Sequence, residues 1–160
     1  MNKYKKVVKE LIDKSFPRLK KRFVFVVSFP YQINWANAMV VYFGFMVWIV
    51  VFPVTKKYSS GEIKALLAHE LSHYEIVVNM KFFELFKFGF KWVFTKKWKV
   101  WFETAADKYA IEKGYARGLF SRVVKIEKEK TKEYLKLRQG RGYLSSKQIK
   151  TYAKKIGKWQ

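Results

Sequence analysis

The sequence predicts an α+β fold with an N-terminal helix, a small three-stranded sheet and several later helices. Between residues 23 and 54 the chain is dense in Val, Ile and aromatic residues, which favour strands over helices. Two later segments begin with the capping patterns S-x-x-E at Ser59 and S-x-x-Q at Ser145, each followed by apolar residues at helical spacing. Strands near the start of the chain with helices after them are typical of the α+β class.

The first element is an amphipathic helix over residues 3 to 14 that ends near Pro17. Its apolar residues recur at the spacing of one helix face: Tyr4, Val7, Val8, Leu11 and Ile12. After a basic link, the Val- and Phe-rich segment from Phe23 to Phe29 predicts a strand, which Pro30 closes.

The segment from Ala38 to Val54 is 17 residues long and has no charged residue. A membrane-spanning helix needs about 20 apolar residues, whereas this segment is interrupted by Gly44 and reaches Pro53 near its end. We therefore expect two strands, at residues 38 to 43 and 45 to 52, and keep a membrane segment as the alternative.

Further helices are predicted in the second half of the chain, after the helix capped by Ser59. They cover residues 100 to 113 with a stop at Gly114 or Gly118, a charged segment from Ser121 to Gln139, and a capped segment from Ser145 to Gly157. Between them and the capped helix, residues 79 to 102 interleave Phe and Trp with Lys. That composition fits either a membrane interface or an aromatic core covered by solvated lysines.

Length and composition predict one domain over residues 1–160, because about 100 to 200 residues typically form a single domain. The absence of cysteine excludes disulfides, thiol catalysis and Cys-ligated zinc. The N-terminus lacks the apolar segment of a cleaved signal peptide, so we expect a cytoplasmic location.

The net charge of +22 is concentrated at the two ends of the chain. Residues 1–60 carry 11 basic and 2 acidic side chains, and residues 121–160 carry 13 and 3. Such flanks predict peripheral contact with an anionic membrane at its inner face, with nucleic acid a less favoured partner. A solvated, lysine-rich surface suited to a hot habitat is the alternative explanation.

The sharpest local signal is the HExxH motif formed by His69, Glu70 and His73 within the predicted capped helix. Residues four apart lie on one side of a helix, so both imidazoles can bind one metal ion. Glu70 is then placed to act as a general base. The motif uses both histidines of the protein, so a third protein ligand must be a carboxylate.

A second acidic pattern, Glu103 to Asp107, follows 30 residues after His73. On a helix, Glu103 can reach the metal while Asp107 accepts the other ring N–H of a ligating histidine. The small residues Ala105 and Ala106 between them allow close helix packing.

HELSH followed by ETAAD resembles the HExxH and ExxAD pair of the gluzincin metallopeptidases, in particular their HtpX-like and CAAX-prenyl-protease-like branch. The short chain is similar in length to the minigluzincins. The resemblance implies a zincin-like fold with an active-site helix and a glutamate helix. It also implies one Zn²⁺ per chain bound by His69, His73 and Glu103, with Glu70 as general base and Asp107 orienting His69. We place the catalytic core at about residues 23–118 and a basic helical extension at 119–160.

The resemblance extends to the substrate side of the site. Asn37 and Ala38 resemble the start of the edge strand on which gluzincins align a peptide. Larger gluzincins stabilise the oxyanion with a late His, Tyr or Arg, and this chain has no spare His. The candidates here are Tyr143, Tyr152, Arg138 and Arg141.

These observations predict a zinc-dependent endopeptidase acting on peptides or unfolded proteins. Two alternatives stay open at this point. The basic C-terminal helices could lie across the cleft and make the enzyme latent, or the chain could be a non-catalytic basic module that binds an anionic membrane or nucleic acid.

Overall fold

The computed structural model describes residues 3–33, 36–43, 46–80, 84, 87 and 95–159. In this part of the chain, helices flank a small mixed sheet, so the α+β class is confirmed. The strands are β1 (Phe23–Ser28), β2 (Ala38–Phe43) and β3 (Met46–Val51). The α-helices are α1 (Lys3–Ser15), α2 (Ser60–Val78), α3 (Lys96–Ala110), α4 (Ala116–Glu129), α5 (Lys132–Gly140) and α6 (Ser146–Lys155).

The sheet has the strand order β1-β3-β2, with β1 parallel and β2 antiparallel to β3. Both strands expected between residues 38 and 54 are present, so that prediction is confirmed over the membrane-segment alternative. None of the helices in the described ranges has the length and apolar character needed to cross a bilayer. Strand β2 is an edge strand, and on its outer side no other described residue pairs with its backbone.

One face of the sheet packs against α1 and α2. Alternate residues of β3, Val47, Ile49 and Val51, point into this core and are at most 2% exposed. They meet Leu11 of α1 and Leu67 of α2 in the same buried cluster. This alternation is the period-2 pattern of a half-buried strand.

A second core lies on the other side of α2. Ala65 of α2 shares it with residues of α4 and α6 and of the segments between helices: Ile111, Ala116, Leu119, Val123, Leu144, Ile149 and Ala153. Helix α2 is therefore enclosed by both cores, and every residue from Ala65 to Ile76 is buried. The predicted boundary near residue 118 falls inside α4, whose side chains belong to this second core.

The single helix predicted from Ser121 to Gln139 is wrong, because the structure has two helices there. Helix α4 ends at Lys130, whose backbone is extended, and Thr131 starts α5 by accepting a hydrogen bond from the Tyr134 amide. A threonine that satisfies a free N–H in this way favours a new helix start over continuation. Gly118 is likewise not a stop but lies within α4.

The aromatic segment predicted between residues 79 and 102 is described only in part. Residues 81–83, 85, 86 and 88–94 lie outside the described residues, so most of that prediction stays a prediction. Within α3, the Phe102 ring is buried while Trp101 is 44% exposed. Phe102 therefore belongs to the interior of the protein, whereas Trp101 lies at its surface.

Candidate metal centre

The HExxH motif lies in the middle of α2, whose N-terminus is held by the predicted capping box. The Ser59 amide donates to the Glu62 carboxylate at 2.7 Å, and the Glu62 amide donates to the Ser59 hydroxyl at 3.3 Å. Two free N–H groups of the first turn are thereby satisfied. The motif that follows is buried in the centre of the fold, where polar side chains need partners.

Three side chains converge at this point: His69 and His73 from α2, and Glu103 from α3. The two Nε2 atoms are 3.1 Å apart, and Glu103 Oε2 lies 3.3 Å from His69 Nε2 and 3.4 Å from His73 Nε2. The three potential ligand atoms thus form a nearly equilateral triangle. Among the described residues, these three form a group that could hold a metal ion.

The dimensions of this triangle suit zinc. Ligand atoms at 2.0–2.1 Å from a tetrahedral zinc ion are about 3.3 Å from one another. Glu103 Oε2 is also buried without a hydrogen-bond partner among the described residues. Two imidazoles and a carboxylate are a donor set that zinc prefers, so the residues fit the ion.

Asp107 holds His69 from the side opposite the triangle. Its Oδ1 lies 2.9 Å from His69 Nδ1, and its Oδ2 accepts a hydrogen bond from the Leu144 amide at 2.8 Å. Burial alone would lower the pKa of His69, but the carboxylates of Asp107, Glu103 and Glu70 raise it. The same negative field favours a cation at the triangle. The structure thus places Asp107 where the sequence predicted it, next to His69.

Glu70 is 6% exposed and lines the cleft beside the triangle. Burial raises the pKa of its carboxyl group, and the Glu103 carboxylate raises it further, against the lowering effect of His69 and His73. A carboxylate whose pKa moves toward neutrality accepts and releases protons more readily near physiological pH.

A cleft of about 700 Å³ opens onto these residues. One wall is formed by residues 38–42 of the edge strand β2, preceded by Asn37. The Asn37 side-chain amide donates to the Tyr58 hydroxyl at 2.9 Å, and the Asn37 backbone carbonyl accepts from the Phe52 backbone amide. Asn37 and Ala38 therefore lie at the cleft, as predicted, where β2 begins.

Gly142 brings the segment after α5 close to the site. Its φ of 100° is in the region that favours glycine, and a Cβ there would overlap the Val100 backbone. The Thr104 hydroxyl donates to its carbonyl at 2.7 Å. The next two residues are thereby positioned, with the Tyr143 ring stacked 5.9 Å from that of His69 and the Leu144 amide on Asp107.

Of the four predicted oxyanion candidates, the structure places three in the cleft and one outside it. Tyr143, Arg138 and Arg141 line the cleft. Burial, followed by the nearby Glu103 and Glu70 carboxylates, raises the pKa of Tyr143 well above its usual value, so its hydroxyl stays a hydrogen-bond donor. Tyr152 does not line the cleft, because its hydroxyl donates to Glu112 at 2.6 Å on the surface.

Sequence reasoning missed several cleft residues, among them Tyr42, Phe102 and Arg122. The Phe102 ring packs 4.3 Å from that of His73. The Tyr42 side chain is partly buried, and its burial, followed by the nearby Glu70 carboxylate, raises the pKa of its hydroxyl. Arg122 is 4% exposed in α4. Its position three residues after Leu119, on the apolar face of the helix, was the available signal for a buried charge.

Comparison of the chain with protein-family models, with curated proteins and with solved structures finds no match.

Proposed function

We propose that this protein is a zinc-dependent peptidase. The observation that carries the proposal is the triangle of His69, His73 and Glu103 with edges of 3.1–3.4 Å, next to a buried glutamate in an open cleft. We also propose that its α+β fold is zincin-like. The support is the pairing of a capped HExxH helix with a second helix that supplies the glutamate.

The chain's own residues account for the other parts of such a reaction. Zinc held by the three ligands would supply Lewis acidity toward a peptide carbonyl and a water molecule. Glu70 would accept a proton from the attacking water and deliver it to the departing amine. Tyr143 lines the cleft and would donate to the developing oxyanion. An extended peptide, or a segment of an unfolded protein, would pair with the free edge of β2.

The decisive experiment compares Glu70→Gln with the wild-type chain. We expect Glu70→Gln to keep its fold and one zinc per chain while hydrolysis of an unstructured test protein falls by about a hundredfold or more, since only the proton acceptor is lost. Glu133→Gln, at an exposed position in α5, is the matched control and should keep full activity. Equal turnover by Glu70→Gln would refute the assignment of the base.

Metal content tests the ligand set separately. Glu103→Ala and the double variant His69→Ala, His73→Ala should lose stoichiometric zinc in elemental analysis of the purified protein. A double variant that retains one zinc per chain would rule out this site. The latent form stays a prediction, and in the structure Tyr134, Leu137 and Arg138 of α5 contribute to the wall of the cleft.

A further inference from the structure

Three arginines line the same cleft as the candidate metal ligands. Arg122 comes from α4, Arg138 from α5, and Arg141 follows α5 directly. Arg122 is 4% and Arg138 9% exposed, whereas Arg141 is exposed. Arg138 donates to the Leu144 carbonyl at 2.9 Å, and its guanidinium lies 4.9 Å from the centre of the Tyr143 ring. The Tyr143 ring therefore contacts both the Arg138 guanidinium and the His69 imidazole.

None of these arginines has a carboxylate within ion-pair distance in the described part of the chain, although the buried Asp107 and Glu70 carboxylates interact with Arg122 at longer range. The ion pairs there involve other residues, and none joins Arg122, Arg138 or Arg141 to a carboxylate. The buried Nε of Arg122 also has no hydrogen-bond partner among the described residues. A guanidinium stays charged in proteins, and a buried charge without a partner costs free energy. Such an arrangement is stabilised when an anion binds.

The other wall of the cleft indicates what kind of anion that is. Residues 38–42 of β2 present a strand edge with which no other strand in the described ranges pairs, and such an edge suits an extended peptide rather than a small ion. We propose that the cleft selects peptides that carry a carboxylate, which binds Arg122 and Arg138 with Arg141 at the mouth. This inference deepens the proposed peptidase function, on which the choice of a peptide rests. The carboxylate belongs either to the peptide C-terminus or to an Asp or Glu side chain.

Binding of three matched fluorescent peptides tests this proposal and distinguishes the two sources. The first has a free C-terminus and no acidic residue, the second has an amidated C-terminus and one Glu, and the third is amidated with Gln in place of that Glu. The full chain is treated with chelator and then dialysed into chelator-free buffer, so that no peptide is cleaved and no chelator competes. We expect the first or the second peptide to bind at least about tenfold more tightly than the third, as for a hydrogen-bonded charge pair.

Variants locate the effect. Arg122→Gln and Arg138→Gln should remove the preference for the carboxylate, while Arg122→Lys keeps part of it. Lys136→Gln is the matched control, since it removes the same charge from an exposed position of α5 outside the cleft. The melting temperature of Arg122→Gln is measured alongside, because Arg122 also interacts with the buried Asp107 and Glu70 carboxylates. A purely structural arginine would lower the melting temperature and weaken all three peptides alike.

The outcomes separate this inference from the proposed function. Equal affinity for the three peptides, or an equal loss of preference in Lys136→Gln, overturns the carboxylate site whether or not the zinc-loaded chain hydrolyses peptides. A carboxylate preference that depends on Arg122 and Arg138 supports it, even if the zinc-loaded chain cleaves none of the peptides and the peptidase proposal fails.

Discussion

The imidazole of His69 is held on both of its nitrogen atoms. Nδ1 lies 2.9 Å from Asp107, and Nε2 lies in the triangle with His73 and Glu103. A carboxylate next to Nδ1 favours a proton on that nitrogen, so that the lone pair of Nε2 points at the metal position. At the scale of single residues, Asp107 thus favours the tautomer of His69 that carries its proton on Nδ1.

We therefore expect Asp107→Asn to weaken zinc binding by about 10- to 100-fold, as other losses of such partners do. The amide oxygen of Asn can still accept from the Leu144 amide, so the loop after α5 should stay in place. Competition with a chromophoric zinc chelator measures the affinity. Asp13→Asn, on the exposed side of α1, is the control. An unchanged zinc affinity in Asp107→Asn would show that Asp107 does not orient His69.

At the scale of elements, α2 is tied to α4 through one buried carboxylate. Glu62 is 1% exposed and, besides its part in the cap, accepts from the Ser121 hydroxyl at 2.7 Å and from Lys125 Nζ at 2.8 Å. Burial would raise the pKa of Glu62, but these donors and the Ser59 amide lower it to about 2. Helix α2, which carries the two candidate histidine ligands, is thereby anchored to the helix that carries Arg122.

This pKa sets a pH dependence for stability. The folded pKa of Glu62 is lower than the reference value of 4.5, so its stabilisation is present above that pH and is lost as the pH falls toward 2. We expect Glu62→Gln to lower the free energy of unfolding by about 2 kcal/mol at pH 7. In urea titrations, the difference in free energy of unfolding between Glu62→Gln and the wild-type chain should become smaller as the pH is lowered from 5 to 3. Glu133→Gln is the exposed control, and its free energy of unfolding should differ from that of the wild-type chain by the same small amount at every pH. If the destabilisation by Glu62→Gln does not change with pH, the ionised Glu62 carboxylate is not its source.

The close approach of α2 and α4 also depends on Gly118. A Cβ at this position would overlap the Gly61 carbonyl oxygen and lie 2.9 Å from the Ala65 Cβ. Gly118→Ala should therefore lower the free energy of unfolding by about 1–3 kcal/mol. Gly140→Ala is the matched control, because its Cβ would meet nothing within 4 Å and should be neutral or slightly stabilising. If the two variants have equal free energies of unfolding in urea titrations, α2 and α4 can move apart to accommodate the added methyl group with little loss of stability.

At the scale of the whole molecule, a net charge of +22 is combined with exposed aromatic side chains. Phe25 and Trp48 on neighbouring strands are 43% and 40% exposed, with ring centres 5.6 Å apart. Lysines attract an anionic surface at long range, and interfacial aromatic rings add apolar contact. The sheet face opposite α1 and α2 thus presents groups suited to a lipid surface.

We accordingly expect the protein to sediment with anionic vesicles at low salt and to be released at high salt. The double variant Phe25→Ala, Trp48→Ala should bind more weakly at every salt concentration. Vesicles of neutral lipid are the control and should bind little protein. Retention at high salt, or equal binding to neutral vesicles, would contradict an electrostatic attachment.

Features that depend on neighbours in the sequence could be predicted from it. The capping box at Ser59 and Glu62, the strands at residues 38–43 and 46–51, and the spacing of His69 and His73 all follow from local geometry. The helix break at Thr131 could not, because a threonine within a charged segment is compatible with either continuation or a new cap. The inward position of Arg122 was missed although its spacing from Leu119 indicated it, because its segment as a whole is highly charged, as a solvated helix is.

By itself, the sequence determined the α+β class, the two imidazoles four residues apart on one helix and the need for a carboxylate as third ligand. These are consequences of helical periodicity and of a composition with two histidines and no cysteine. Only the tertiary structure decided that Glu103 closes the triangle, that Asp107 faces His69, that Tyr152 lies outside the cleft and that Arg122 lies within it. Each of those placements depends on how α3, α4 and the Gly142 segment pack around α2. Contacts between residues tens of positions apart are set by the packing of the two cores, and no local sequence pattern specifies them.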